Sequence, residues 1–262
     1  MKSGKATYLF VIALGVVLIA ACKKDKSAAA IYEGYDYFPN RVGHWIIYNV
    51  DSVNVDEIKN QIDTFNYQVK EVIDSFYTDN LGARTQVIVR YKRTLPDTVW
   101  VYEKTYTANL TTTNATRTED GIKYVKLIFP VSANASWNGG AFNNSQGTNA
   151  VFPDWNQTNF QYTSVNAPQY LNWQEFDSTV TVLQLSNQNL WQYEYFVEQY
   201  AVNIGRIYKQ MINVTVATSY TNPGLIFGDS LETEADYPYL VAHTELEQGS
   251  VVYTETYVAS GN

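Results

Sequence analysis

The chain has 262 residues, one cysteine, 26 acidic against 18 basic side chains and a net charge of −8. That length suffices for one sizeable domain with its own core. A single cysteine excludes an internal disulfide framework, and the acidic balance repels phosphate backbones and so argues against a nucleic-acid partner. The chain carries 22 tyrosines, 11 phenylalanines and 6 tryptophans, and aromatic and β-branched enrichment of this kind points to strands.

The first 22 residues have three parts. Lys2 and Lys5 give a positive start, an apolar run extends from Tyr8 to Ala20, and small residues precede Cys22. This is the layout of a secretory signal over residues 1–21, and the run is shorter than the about 20 residues that span a bilayer. Leu18-Ile19-Ala20-Ala21-Cys22 resembles the lipobox of bacterial lipoproteins. The resemblance implies cleavage before Cys22 and lipidation of its thiol, a stable anchor at about 0.8 kcal/mol per buried CH₂. Loss of Lys2 and Lys5 would take the net charge from −8 to −10. Lys23 to Ala30 is polar, small and aperiodic, so residues 22–40 read as lipidated cysteine and flexible tether, and 41–262 as one β-rich domain. In that family an aspartate after the cysteine retains proteins at the inner membrane. Lys23 stands there instead, so the resemblance implies an outer-membrane anchor, facing either the periplasm or the cell surface.

Period-two runs follow. Trp45 to Val53 is the first. Phe65, Tyr67 and Val69 alternate with polar neighbours, and the phase slips at Glu71-Val72, which suggests a bulge. Asp79 to Gly82 is a turn. In the next run Val87, Val89 and Tyr91 are taken as the apolar face and Gln86, Arg90 and Lys92 as the polar one. Leu95-Pro96-Asp97 turns the chain before a strand from Val99 to Tyr106, and Thr118 to Gly121 turns it before Ile122 to Val131. Residues 132–170, rich in Asn, Gly, Gln, Ser and Pro, read as a long irregular loop. Alternation resumes over Asp177–Leu185, Tyr193–Ala201 and Ile207–Ala217, and after a second irregular insertion over 219–240 a last strand runs from Val251 to Val258. Short helices near 55–62 or 168–176 are weighed. Regular turn spacing is the mark of an antiparallel meander. The expected fold is all-β: a single antiparallel curved sheet, half-barrel or barrel of about 8–10 strands, with a sandwich as the competing topology.

Tyr37-Phe38-Pro39-Asn40-Arg41-Val42-Gly43-His44-Trp45-Ile46-Ile47-Tyr48 resembles the start of the folded part in a group of Bacteroidota lipoproteins, Y-x-P-x-x-x-G-x-x-W-x-Y, with Trp45 one position early. Ile128-Phe129-Pro130-Val131 with Trp137-Asn138-Gly139, and Ile204 to Lys209, are similar to the same group. It implies an envelope lipoprotein and no activity. A looser likeness to half-barrel periplasmic lipid carriers is a matter of fold alone.

Chemistry-bearing motifs are few. His44 and His243 lie in no metal-spaced pattern, the lone thiol is committed to lipid, and no nucleophile elbow or phosphate loop occurs. No catalytic residue, metal or cofactor is therefore expected. Glu71, on the apolar side of its run, is the most exceptional carboxylate and is read as a displaced surface residue. Trp137, Phe142, Trp155, Phe160 and Trp173 are a candidate ligand platform for sugar rings or an apolar pocket; the competing reading is that they anchor the long loop to the sheet. Asp51-Ser52, Asp97-Thr98, Asp177-Ser178 and Asp229-Ser230 match an O-glycosylation signal of Bacteroidota secreted proteins, which makes Ser52, Thr98, Ser178 and Ser230 candidate acceptors; the same pairs also mark turns. The leading function is a membrane-anchored, non-catalytic binding or structural module. The alternatives are a carrier of a lipid or other apolar ligand, and a glycan-binding surface lipoprotein.

Overall fold

The structure, a computed structural model, describes residues 32–56, 61–143, 159–188, 192–215 and 251–262. The unit Glu33–Asn262 is one antiparallel sheet. Its strands are β1 (Trp45–Asp56), β2 (Gln61–Thr78), β3 (Arg84–Arg93), β4 (Val101–Leu110), β5 (Asn114–Glu119), β6 (Ile122–Ile128), β7 (Ser136–Asn138), β8 (Asn159–Leu171), β9 (Gln174–Gln188), β10 (Gln192–Ala201), β11 (Gly205–Thr215) and β12 (Val251–Gly261). The order in the sheet is β6-β5-β4-β3-β2-β1-β12-β11-β10-β9-β8-β7. Two six-strand meanders thus join where β1 pairs with β12, from Trp45 opposite Gly261 to Asn54 opposite Val251. The all-β expectation holds, with 12 strands among the described residues rather than 8–10.

The two free edges, β6 and β7, meet in a seam that closes the sheet into a near-barrel. The seam is made mostly by side chains. Val125 N–H donates to the Gly139 carbonyl (2.8 Å), and Trp137 Nε1 donates to the Val125 carbonyl (2.7 Å). The Asn143 carboxamide takes the place of a peptide, accepting from Lys123 N–H and donating to its carbonyl. The Tyr162 hydroxyl does the same for Ile128. An unpaired edge invites other strands, and these groups satisfy it without a ladder. Gly139 is required here, because a Cβ on it would fall 2.4 Å from the Phe160 ring.

One end of the sheet is plugged. Residues 33–40, read from sequence as part of the tether, belong to the folded unit. Tyr37 is fully buried, and its hydroxyl donates to Asn166 Oδ1 and bonds Ser178 Oγ, both at 2.7 Å. Asp36 accepts from Asn203 N–H, and Pro39 accepts from Gln86 Nε2. Gly205, at φ +97°, lets Pro39 approach to a distance that a Cβ could not share. Beneath the plug lies the apolar core: Tyr37, Ile73, Ile88, Leu127, Phe160, Tyr162 and Val180 among others.

Three sequence expectations change. The stretch 159–170 is not loop but most of β8, and 168–176 is no helix: it is the β8–β9 hairpin, turning through Asn172 and Trp173 at positive φ. β5 went unseen. In β3 the faces are reversed: Gln86, Ile88 and Arg90 are buried on the inner face, and Val87, Val89 and Tyr91 are only partly covered on the outer one. The bulge expected at Glu71-Val72 is absent: pairing runs unbroken there on both sides, Glu71 breaks the pattern because a charge faces inward, and the irregularity opposite β3 falls between Ile73 and Ser75.

Candidate functional site

Alternation places Glu71 on the inner face of β2, between Val69 and Ile73. It is not a displaced surface residue: it is 5 % exposed and sits in a ring of ion pairs across the middle of the interior. Arg90, directly opposite on β3, donates to Glu71 Oε1 at 2.9 Å. Arg117 on β5 grips both oxygens of Glu71, at 2.9 and 2.6 Å. Arg90 also donates to Glu255 (2.6 Å) and Glu103 (2.8 Å). Glu255 takes Arg206 and the Tyr253 hydroxyl. Glu198 takes Lys126 at 2.9 Å and the Tyr200 hydroxyl at 2.6 Å. Glu119 completes the ring between Arg117 (2.7 Å) and, at 3.6 Å each, Lys126 and Arg206.

Taking so many charges out of water is costly, and each is tolerable only with near-complete pairing. Burial pushes the Glu71 carboxyl up, but Arg117, Arg206 and Arg90 outweigh it and hold it down at about 2. Burial acts on Glu255, Glu198 and Glu119 in the same sense, and their cationic neighbours likewise hold them below the ordinary range. Lys209 is the exception. Burial lowers its ammonium pKa, Glu119 opposes this, and Arg206 and Lys126 add to the lowering. Its nearest carboxylate oxygen, on Glu119, is 3.7 Å away, beyond hydrogen-bond reach.

On the side of the belt away from the plug lies a cavity of about 390 Å³, with Tyr67, Tyr106, Tyr124, Tyr253, Gln184 and Lys209 in its walls. Rim residues Lys104 and Asp120 pair at 3.0 Å. Ligand pockets usually measure about 300–1,000 Å³. A void of about 50 Å³ between plug and belt is too small for more than a water or two. A groove of about 560 Å³ runs over the plugged end, past Asp36, Asn40 and Arg41. Buried polar atoms without hydrogen-bond partners distinguish the two larger sites: Gln184 Nε2, Arg206 Nε and Glu119 Oε1 belong to residues of the cavity wall, and no such atom belongs to a residue lining the groove. Among the described residues, no three His, Cys, Asp or Glu side chains are placed to hold a metal.

The residues singled out from sequence are placed as follows. Trp137 and Phe160 come together at the seam, ring centroids 6.1 Å apart, with Phe160 fully buried. Phe142 is exposed nearby, under the Lys123 ammonium. Trp173 is 91 % exposed on the β8–β9 turn, at the far end of β8 from Phe160. Trp155 lies outside the described residues, as do Cys22 and Ser230. Ser52 is buried in β1, Ser178 is half-buried against Tyr37, and Thr98 is exposed between β3 and β4. His44 is buried, with Nε2 donating to the Ile204 carbonyl and Nδ1 at 3.0 Å from Asn262.

No protein-family model and no curated protein matches the chain. Among solved structures it is similar, at 10 % identity and a TM-score of 0.32, to a Bacteroides fragilis protein described as exported and of YmcC-like fold. The alignment covers 86 % of this chain and 98 % of that one. A TM-score of that size does not establish a shared fold, and the architecture rests on the strand order described above.

Proposed function

We propose that the chain is a lipid-anchored outer-membrane protein, tethered through Cys22, whose near-barrel is a non-catalytic binding module taking a small polar ligand into the cavity beside the charged belt. The observation that carries this is the cavity itself, of ligand size and walled by charges that, Lys209 apart, are fixed in hydrogen-bonded pairs. General acid–base chemistry needs a group poised near neutrality. Glu71, Glu119, Glu198 and Glu255 are all held in the opposite direction, as permanent anions. The polar wall disfavours a wholly apolar cargo, which weighs against a lipid carrier. Four tyrosines in the wall favour a glycan as the second reading, since phenol rings both stack and hydrogen-bond. Of the candidate O-glycosylation sites among the described residues, Thr98 has the exposure that a glycan needs, whereas Ser52 faces inward.

Native mass spectrometry of the full chain extracted from membranes in mild detergent tests the reading. The expected spectrum carries acyl-glyceryl mass on a chain beginning at Cys22, and a small molecule released on gentle activation. A chain with neither adduct ends it.

A further inference from the structure

One cation of the belt lacks a hydrogen-bonded carboxylate. Its cations are Arg90, Arg117, Lys126, Arg206 and Lys209, and its carboxylates are Glu71, Glu103, Glu119, Glu198 and Glu255. Glu103, which also pairs with Arg90, is 25 % exposed, and the rim pair Lys104–Asp120 stands in solvent. The unmatched cation is Lys209, whose ammonium makes no hydrogen bond and whose side chain is only 16 % exposed. Gln184 is 4 % exposed, lines the same cavity, and its Nε2 has no partner. A buried donor left unpaired is destabilising, and here the Gln184 carboxamide donor and the Lys209 ammonium border one ligand-sized space.

Resting on the reading of the module as a binder, we infer that the cavity is a site for an organic monocarboxylate, its carboxylate held by Lys209 and Gln184 and its body against Tyr67, Tyr253 and Met211. One carboxylate gives the Lys209 ammonium the hydrogen-bonded partner it lacks. A phosphate monoester, near −2 at neutral pH, would oppose Glu119 and Glu255 in the same wall. The apolar surfaces of Ile122, Met211 and Val251 suit a hydrocarbon or aromatic body rather than a bare ion.

Isothermal titration of the detergent-solubilised full chain with phenylacetate and with phenylacetamide tests this. The acid is expected to bind at least tenfold more tightly than the amide. Lys209→Met is expected to abolish that preference, and because partition into micelles is common to both chains, it cancels in the comparison. Gln184→Glu, which sets a second negative charge at the site, is expected to weaken phenylacetate and spare the amide, and it decides the matter should the methionine variant fail to fold. Equal affinity for acid and amide, an unchanged preference in a folded variant, or binding of neither probe overturns the carboxylate site. Equal affinity would leave the binding module standing, whereas a chain that binds neither probe and releases no molecule in the mass spectrometer loses both readings.

Discussion

The two halves of the interior solve the same packing problem by different means. Toward the plug, Tyr37, Ile73, Ile88, Phe160, Tyr162 and Val180 fill space by burial of apolar area, with the Tyr37 and Tyr162 hydroxyls each tied off by two hydrogen bonds. Across the middle, Glu71, Arg90, Arg117, Glu198, Arg206 and Glu255 fill it with paired charge and leave a cavity beyond. Apolar packing contributes through area and depends little on what each neighbour is. A charged layer is all or nothing, since one missing partner strands a buried ion. The apolar half is therefore suited to holding the sheet together, and the charged half to holding groups at fixed positions.

Acid separates the halves most sharply. The Glu71 carboxyl is held at about 2, below its usual value near 4.5, so its contribution is present above about 4.5 and is lost as pH falls through 2. Glu119, Glu198 and Glu255 are shifted the same way. Chemical denaturation at pH 6 and pH 2.5 should show a loss on the order of several kcal/mol; a flat profile would mean the belt contributes nothing. Next comes Arg206→Met, which removes a partner of both Glu255 and Glu198 and should cost about 3–5 kcal/mol. Gly139→Ala acts on the apolar half, forcing a methyl into the Phe160 ring. It should cost about 1–3 kcal/mol, equally at both pH values; a pH-dependent penalty would blur the distinction. Lys209→Met relieves an underpaired cation and should raise stability by about 1 kcal/mol in urea melts. Trp173→Ser, on an exposed turn, should shift the melt by no more than about 0.5 kcal/mol.

The same division explains what was legible from sequence. β2 announced itself because Phe65, Tyr67 and Val69 alternate with Asn66, Gln68 and Lys70 on a strand with an apolar inner face. β5 stayed hidden because its inner positions are Ala115, Arg117 and Glu119, so buried charge erases the pattern that marks a strand. In β3 the rule misled: Gln86 and Arg90 look solvent-facing and are among the most buried residues of the strand. β8 lost its period to three irregularities against β9, at Ser164, Ala167 and Gln169, and to Pro168. Glu71 could be recognised as an exception. Its partners could not, because Arg90 and Arg117 lie 19 and 46 residues away and nothing local links them. The cavity, built from β2, β3, β4, β5, β6, β9, β11 and β12, leaves no contiguous motif.

The pairing of β1 with β12 sets an order of events. Each meander of six strands can assemble from neighbours in the chain, but β1 has no partner on its second side until β12 arrives. Until then β1 and β11 stand as bare edges, the state in which sheets most readily capture foreign strands. Glu255, which anchors Arg90 and Arg206, comes with that same final segment. β12 is thus also the source of the counter-ion for two arginines on distant strands, so removing it would leave both an open sheet and an unneutralised interior.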